Sequence, residues 1–200
     1  MTSRLFSIPF AVVALAALSG CISFGSKKET KLWTIDCPGQ SLLSGSLGAG
    51  EATPPKTVRI GSVSVSAPWD CDNIVVRRAD GSLARDPFNK FASQPAALLK
   101  GPLMSLAASE GVFGRVMPGS TAATPDAILE LAVTDLSLDC SGSGRKASVA
   151  LTAALVSGPG RKVIADGSGD ARADASSGDY TAAFSEAFSS ALKSAFSKMK

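Results

Sequence analysis

Two stretches of alternating apolar residues, separated by a run of turn formers, limit the fold more than any other feature of the chain. Leu129, Leu131 and Val133 fall on one side of an extended backbone, as do Ala147, Val149, Leu151, Ala153 and Leu155. A period of two is the signature of a strand with one buried face. Ser141-Gly142-Ser143-Gly144 lies between the two stretches and predicts a hairpin connection. Arg161 to Ala173, reached through Gly158-Pro159-Gly160, reads as a weaker third strand of the same meander. A sheet with an apolar face needs a cover, and the C-terminus offers one. Phe184, Phe188, Ala191, Leu192, Ala195 and Met199 recur at helical spacing, and Asp179 stands where it can cap the first turn. Lys193, Lys198 and Lys200 suit the negative end of that helix's dipole.

The N-terminal half is more broken. Leu32 to Asp36 is a short strand candidate, and residues 38–55 form a loop of Gly, Ser, Ala and Pro with little to bury. Val58 to Ser66 reads as a strand with Gly61 as a bulge, and Asn73 to Arg78 as another. Between them Pro68-Trp69-Asp70-Cys71-Asp72 is a bend, and Ala79-Asp80-Gly81-Ser82 is a turn. Asp86-Pro87 predicts a helix start, because Pro suits the first helical position and Asp can cap it. Phe88 and Phe91 would share a face of that helix, with Pro95 and Gly101-Pro102 kinking or dividing it. Leu98, Leu99, Leu103 and Leu106 would supply a buried stripe, Gly111 would end it, and Val112 to Met117 would be a short strand. The expected class is α+β: a mainly antiparallel sheet with two helical segments packed on one face, in a single domain.

At the N-terminus, Arg4 precedes an apolar run from Ile8 to Leu18 broken by Pro9. Such a run is shorter than the roughly 20 residues a membrane-spanning helix needs, so it reads as the apolar region of a secretory signal. Leu18-Ser19-Gly20-Cys21 follows and resembles the bacterial lipobox, in which two small residues fit a peptidase cleft and the cysteine thiol takes a diacylglyceryl group. The expected organisation is a signal peptide over residues 1–20, a lipidated Cys21 with a flexible tether to residue 31, and one folded domain over residues 32–200. More than one acyl chain gives firm anchoring, at about 0.8 kcal/mol per buried methylene. Ile22 rather than Asp after the cysteine favours the periplasmic face of the outer membrane.

Composition removes several functions. The chain carries 20 Lys plus Arg against 17 Asp plus Glu, and loss of Arg4 with the signal lowers the formal excess from +3 to +2, which is no footprint for nucleic acid. The chain has no histidine, so a Ser-His-Asp or Cys-His arrangement is excluded. The glycine loops at Gly142 and Gly158 lack phosphate-loop spacing, and the aspartates Asp70, Asp72, Asp135 and Asp139 follow no calcium-loop pattern. No catalytic residue, metal or cofactor is expected. Cys37, Cys71 and Cys140 would sit in an oxidising compartment, where one intramolecular disulfide is expected among them, with the pairing open. Candidate docking surfaces are the loop before Pro55 and any part of the Phe184 to Met199 face that the sheet leaves bare.

The segment Asp70-Cys71-Asp72-Asn73-Ile74-Val75-Val76-Arg77-Arg78, followed by Asp80-Gly81 and then Asn89-Lys90-Phe91-Ala92, resembles the ABC-type transport auxiliary lipoproteins. These include the lipoprotein of the paraquat-inducible system and those accompanying MCE-domain proteins. The lipobox, the early short strand, the meander and the helix after Asp179-Tyr180 correspond in order. Phe91 stands where the family commonly has Trp, and Lys90 where it has Arg. The resemblance implies a non-enzymatic accessory of an ABC permease and ATPase with an MCE partner, moving phospholipid or another hydrophobic molecule, with a possible lipid ligand. It implies no catalytic residues. The competing expectation is an assembly or stabilising lipoprotein for an outer-membrane barrel or secretin.

Overall fold

The computed structural model describes residues 28–37, 55–109, 113–157 and 161–199. The signal segment, Cys21, most of the tether, the loop before Pro55, Gly111 and Gly158-Pro159-Gly160 lie outside the described residues.

Eight strands form one sheet organised around β6 (Ala127–Asp139). One edge of β6 pairs along its whole length with β7 (Lys146–Ser157), which pairs in turn with β8 (Val163–Asp174). Its other edge is shared. β2 (Thr57–Val65) takes the first half, with Val58 opposite Ala127 and Val65 opposite Val133, and β3 (Asn73–Arg77) takes the end, with Val75 opposite Ser137. The sheet therefore forks. β5 (Arg115–Met117) extends one branch beyond β2, and β4 (Leu83–Phe91) and β1 (Lys31–Trp33) extend the other beyond β3.

The sheet is mixed rather than mainly antiparallel. The β1/β4, β2/β5, β2/β6 and β3/β6 pairs are parallel, whereas β3/β4, β6/β7 and β7/β8 are antiparallel. The turn at Asp80-Gly81 joins β3 to β4, and the expected hairpin at Ser141 to Gly144 joins β6 to β7, giving two of the three antiparallel pairs. The bend at Pro68 to Asp72 instead carries the chain from β2 to β3 without reversing its direction along β6. Trp69 in this bend is 6% exposed, and its ring lies 5.5 Å from the Arg77 guanidinium. The expected bulge at Gly61 is present as a register shift between Ile60 and Val63. A side chain at Gly61 would strike Ile128 and approach Glu130 to 3.2 Å, so the bulge is tied to a glycine.

Asp86-Pro87 does not start a helix. It lies inside β4, where the pairing with β3 jumps from Asn73 opposite Lys90 to Val75 opposite Arg85. Pro87 thus occupies a bulge, where a missing N–H costs no ladder bond. The capping chemistry of Asp86 is real but serves the bulge: its carboxylate accepts from Phe88 N at 2.8 Å and Asn89 N at 3.1 Å. On this bulged strand Phe91 is buried against Phe184 at 5.2 Å while Phe88 is exposed. The helix starts at Pro95 instead, as α1 (Pro95–Leu98), followed by α2 (Lys100–Ser109) with Gly101-Pro102 in its first turn. Leu99, Leu103 and Leu106 are buried as expected, whereas Leu98 is only half-buried.

α3 (Tyr180–Ser197) covers β7 and β8. Asp179 caps it, accepting from Ala182 N at 3.1 Å. Phe184, Phe188, Ala191, Leu192, Ala195 and Met199 are all buried, in one core with Leu99 and Leu103. The expected strand over Leu32 to Asp36 is shorter than anticipated, because after Trp33 the chain leaves the sheet for α3. Thr34 N donates to Thr181 Oγ1 at 3.3 Å, and Asp36 N to Ser185 Oγ at 2.9 Å.

The polar residues Asp135, Ser137 and Asp139 lie near the end of β6, Ser137 and Asp139 buried. Ser148 donates to Asp135 at 3.0 Å, Arg77 lies 3.5 Å from the same carboxylate, and Arg172 lies 3.6 Å from Asp139. The Ser141 hydroxyl and N–H donate to Asp139 at 2.6 and 2.9 Å, holding its carboxyl below the usual carboxylate range, with Arg172 adding to the effect. A carboxylate whose pKa falls on folding stabilises the native state above its unfolded pKa, near 3.9, and loses that contribution as pH drops through the depressed value. Asp139→Asn is therefore expected to lower the melting temperature at pH 7, with the gap to the parent chain narrowing below about pH 4. Thermal melts from pH 7 to pH 2 check this, and a gap independent of pH would refute it.

Candidate functional site

The three segments that meet at the start of α3 come from distant parts of the sequence. β1 lies parallel to the end of β4, with Lys31 opposite Asn89 and Trp33 opposite Phe91. Trp33 Nε1 donates to Asn89 Oδ1 at 2.9 Å, and its ring lies 5.0 Å from that of Tyr180. Tyr180 opens α3, and its hydroxyl accepts from Arg145 Nη1 at 3.1 Å. Arg145 belongs to the β6–β7 hairpin, so this bond joins the hairpin to the helix start.

These residues enclose an open cavity of about 560 Å³, within the ordinary range for small-molecule sites. Its floor is apolar: Val76 and Leu138, opposite each other on β3 and β6, with Cys140 beyond them. Trp33, Phe88 and Tyr180 form aromatic walls. Lys28, Lys31 and Arg145 stand on the rim with Glu29 and Asp86. Two of the cations rest on rings, Lys28 Nζ at 4.9 Å from the Phe88 centroid and Lys31 Nζ at 6.0 Å from that of Trp33.

The cysteines are not paired. All three are free and each belongs to a different neighbourhood, which corrects the single disulfide expected among them. Cys37 is buried beside α3, 3.2 Å from Ser189 Oγ, and burial pushes its thiol pKa up. Cys71 lies in the bend, donating to the Pro68 and Asn73 carbonyls at 3.6 and 3.4 Å. Cys140 borders the cavity, and burial raises its pKa too. The Phe184 to Met199 face, considered for docking, is covered by the sheet: Phe184 and Phe188 are fully buried and Met199 is 3% exposed. Cys21 and the loop before Pro55 lie outside the described residues. Among the described residues no group of three Cys, Asp or Glu could hold a metal ion, and no helix is long and apolar enough to cross a membrane.

The family of ABC-type transport auxiliary lipoprotein components matches residues 44–199. The chain belongs to this family. As a transport auxiliary component it falls in a family of transport accessories rather than of enzymes. A search of the curated proteins finds no match. Among solved structures, the fold is similar to that of protein XCC0632 from Xanthomonas campestris, at 19% identity and a TM-score of 0.56, covering 82% of this chain and 87% of that one. It is also similar to the crystal structure of an uncharacterized protein, at 12% identity and a TM-score of 0.54, covering 73% of this chain and 80% of the other.

The cavity was not among the sites the sequence pointed to. Lys28 and Lys31 read there as part of a solvated tether, yet they form its rim. The signal available was Trp33, two residues after Lys31, a large aromatic at the entrance to the fold.

Proposed function

We propose that this auxiliary lipoprotein is anchored through Cys21 to the periplasmic face of the outer membrane and serves an ABC permease and ATPase together with an MCE-domain partner. The system would move phospholipid or another hydrophobic molecule. The observation that carries the reading is the family match over most of the chain. Physical reasons agree with it. A chain without histidine lacks the usual general base. A tether of about ten residues between lipid and fold keeps the domain within roughly 35 Å of the bilayer surface, where its local concentration for a membrane-bound partner is high. The accessory would act by holding the end of the transport route close to the membrane, shortening the aqueous gap an acyl chain would otherwise cross.

Deletion analysis tests this reading. Removing the chain is expected to give the same envelope-permeability defect as removing the transporter's ATPase, with no further defect when both are removed. Additive defects, or a loss of an outer-membrane barrel or secretin, would move the assignment to an assembly lipoprotein.

A further inference from the structure

Among the described residues the three cations around the cavity make no close ion pair, although Asp86 acts on Arg145 at longer range. Lys90, Arg77, Arg161 and Arg172 each lie within 4 Å of a carboxylate, whereas among the described residues Lys28, Lys31 and Arg145 have none. Glu29 and Asp86 share the rim, but Asp86 already accepts from two backbone N–H groups and from Asn89 Nδ2 at 2.8 Å. Arg145 gives one nitrogen to Tyr180 and keeps further donors of its fork for another acceptor. Three cations against two carboxylates leave the mouth with a formal excess of +1, which an anion would relieve.

Below the rim the chemistry changes to Val76, Leu138 and the aromatic walls. A ligand that satisfies both levels has an anionic head and an apolar body. Resting on the function proposed above, we infer that the cavity binds one phosphate-bearing lipid, its phosphate between Lys28, Lys31 and Arg145 and the first part of its apolar body against Trp33, Phe88 and Tyr180. Lys28 lies seven residues after Cys21 in the sequence, so if Cys21 is the anchor the mouth stands at most about 25 Å from the membrane that supplies such lipids.

Photocrosslinking in cells tests the site with the full chain. p-Benzoylphenylalanine replaces Phe88, or the exposed Ser64 on β2 as a control, in cells whose phosphate is labelled with 32P. The excited ketone takes hydrogen from a C–H bond and the two carbon radicals join. Inorganic phosphate has no C–H bond and cannot be captured. Label per chain at Phe88 is expected to exceed that at Ser64 at least fivefold, with an adduct mass equal to a glycerophospholipid. The combined Lys28→Glu, Lys31→Glu and Arg145→Glu variant should reduce it to the Ser64 level. All three side chains are exposed, but Arg145→Glu also removes the bond to Tyr180, so the Lys28→Glu, Lys31→Glu variant, which keeps that bond, should reduce the label as well. Label equal at both positions, label unchanged by charge reversal, or an adduct with the mass of a soluble organic phosphate would each overturn the proposal. The deletion analysis has a separate readout: a shared permeability defect without Phe88 labelling defeats the lipid site alone.

Discussion

Gly169→Val is expected to lower the melting temperature by about 6–12 °C, corresponding to roughly 3 kcal/mol in a domain of this size. The inward-facing residues of β8 are Ala165, Gly167, Gly169, Ala171 and Ala173, opposite Leu155, Ala153, Leu151, Val149 and Ala147 of β7. Every one is small, which lets the backbone of α3 lie directly on the strand. A Cβ at Gly169 would collide with the Ala191 carbonyl oxygen and come within 2.7 Å of Ala195 N. One at Gly167 would collide with the Ala195 carbonyl oxygen and come within 2.9 Å of Met199 N. Neither neighbour is the end of a flexible side chain, so relief requires α3 to lift. Lifting would open the contacts of Phe184 and Phe188, which are fully buried. The neighbouring Ser168 is exposed on the other face of β8, and Ser168→Val should change stability by no more than about 0.5 kcal/mol. Thermal unfolding of the two variants beside the parent chain checks the pair. Equal melting temperatures for Gly169→Val and the parent would show that the seam is looser than described.

That seam also explains a weakness in the sequence signal. β8 reads as a marginal strand because pattern reading rewards large apolar side chains, and its buried face has none. Alanine and glycine are buried there because a helix backbone, rather than a side-chain layer, covers them. α3 was legible for the opposite reason: its cap at Asp179 and its Phe-rich stripe are local signals that tertiary structure did not override. Asp86-Pro87 shows where local chemistry runs out. The same carboxylate can cap a helix or close a bulge, and the choice belongs to pairing with β3 and β1, which the sequence around it does not encode. The parallel pairs were hidden similarly. A bend such as Pro68 to Asp72 marks a change in path, but whether the next strand returns or continues depends on β6, more than fifty residues onward. The cavity combines residues 28–33, 76, 86–89, 138–145 and 178–180, and no motif links positions so far apart. Family membership was read from the stretch Asp70 to Ala92, which lies within the matched residues 44–199.

Cys21→Ala is expected to abolish lipid anchoring, since no other side chain in the signal region can form the thioether to a glyceride. The loss would not be graded. One acyl chain alone gives only marginal membrane binding, with an association constant of about 10⁴ M⁻¹, and stable attachment requires two or more. Without the thiol the chain receives none, and among the described residues no helix could span the bilayer in its place. The folded domain contributes nothing to this step, so the variant should fold normally and partition into the soluble fraction or remain as unprocessed precursor. Its consequence for transport is loss of effective concentration at the membrane rather than loss of a binding surface. The most direct measurement is therefore quantitative affinity purification of the full-length chain, parent and Cys21→Ala, from solubilised envelopes. The account expects the parent to carry an acylated N-terminal peptide and to recover an ABC permease, its ATPase and an MCE-domain protein, with recovery falling at least tenfold for Cys21→Ala. A parent chain that is normally acylated yet recovers no transporter component above background, and brings down a barrel or secretin instead, would contradict it.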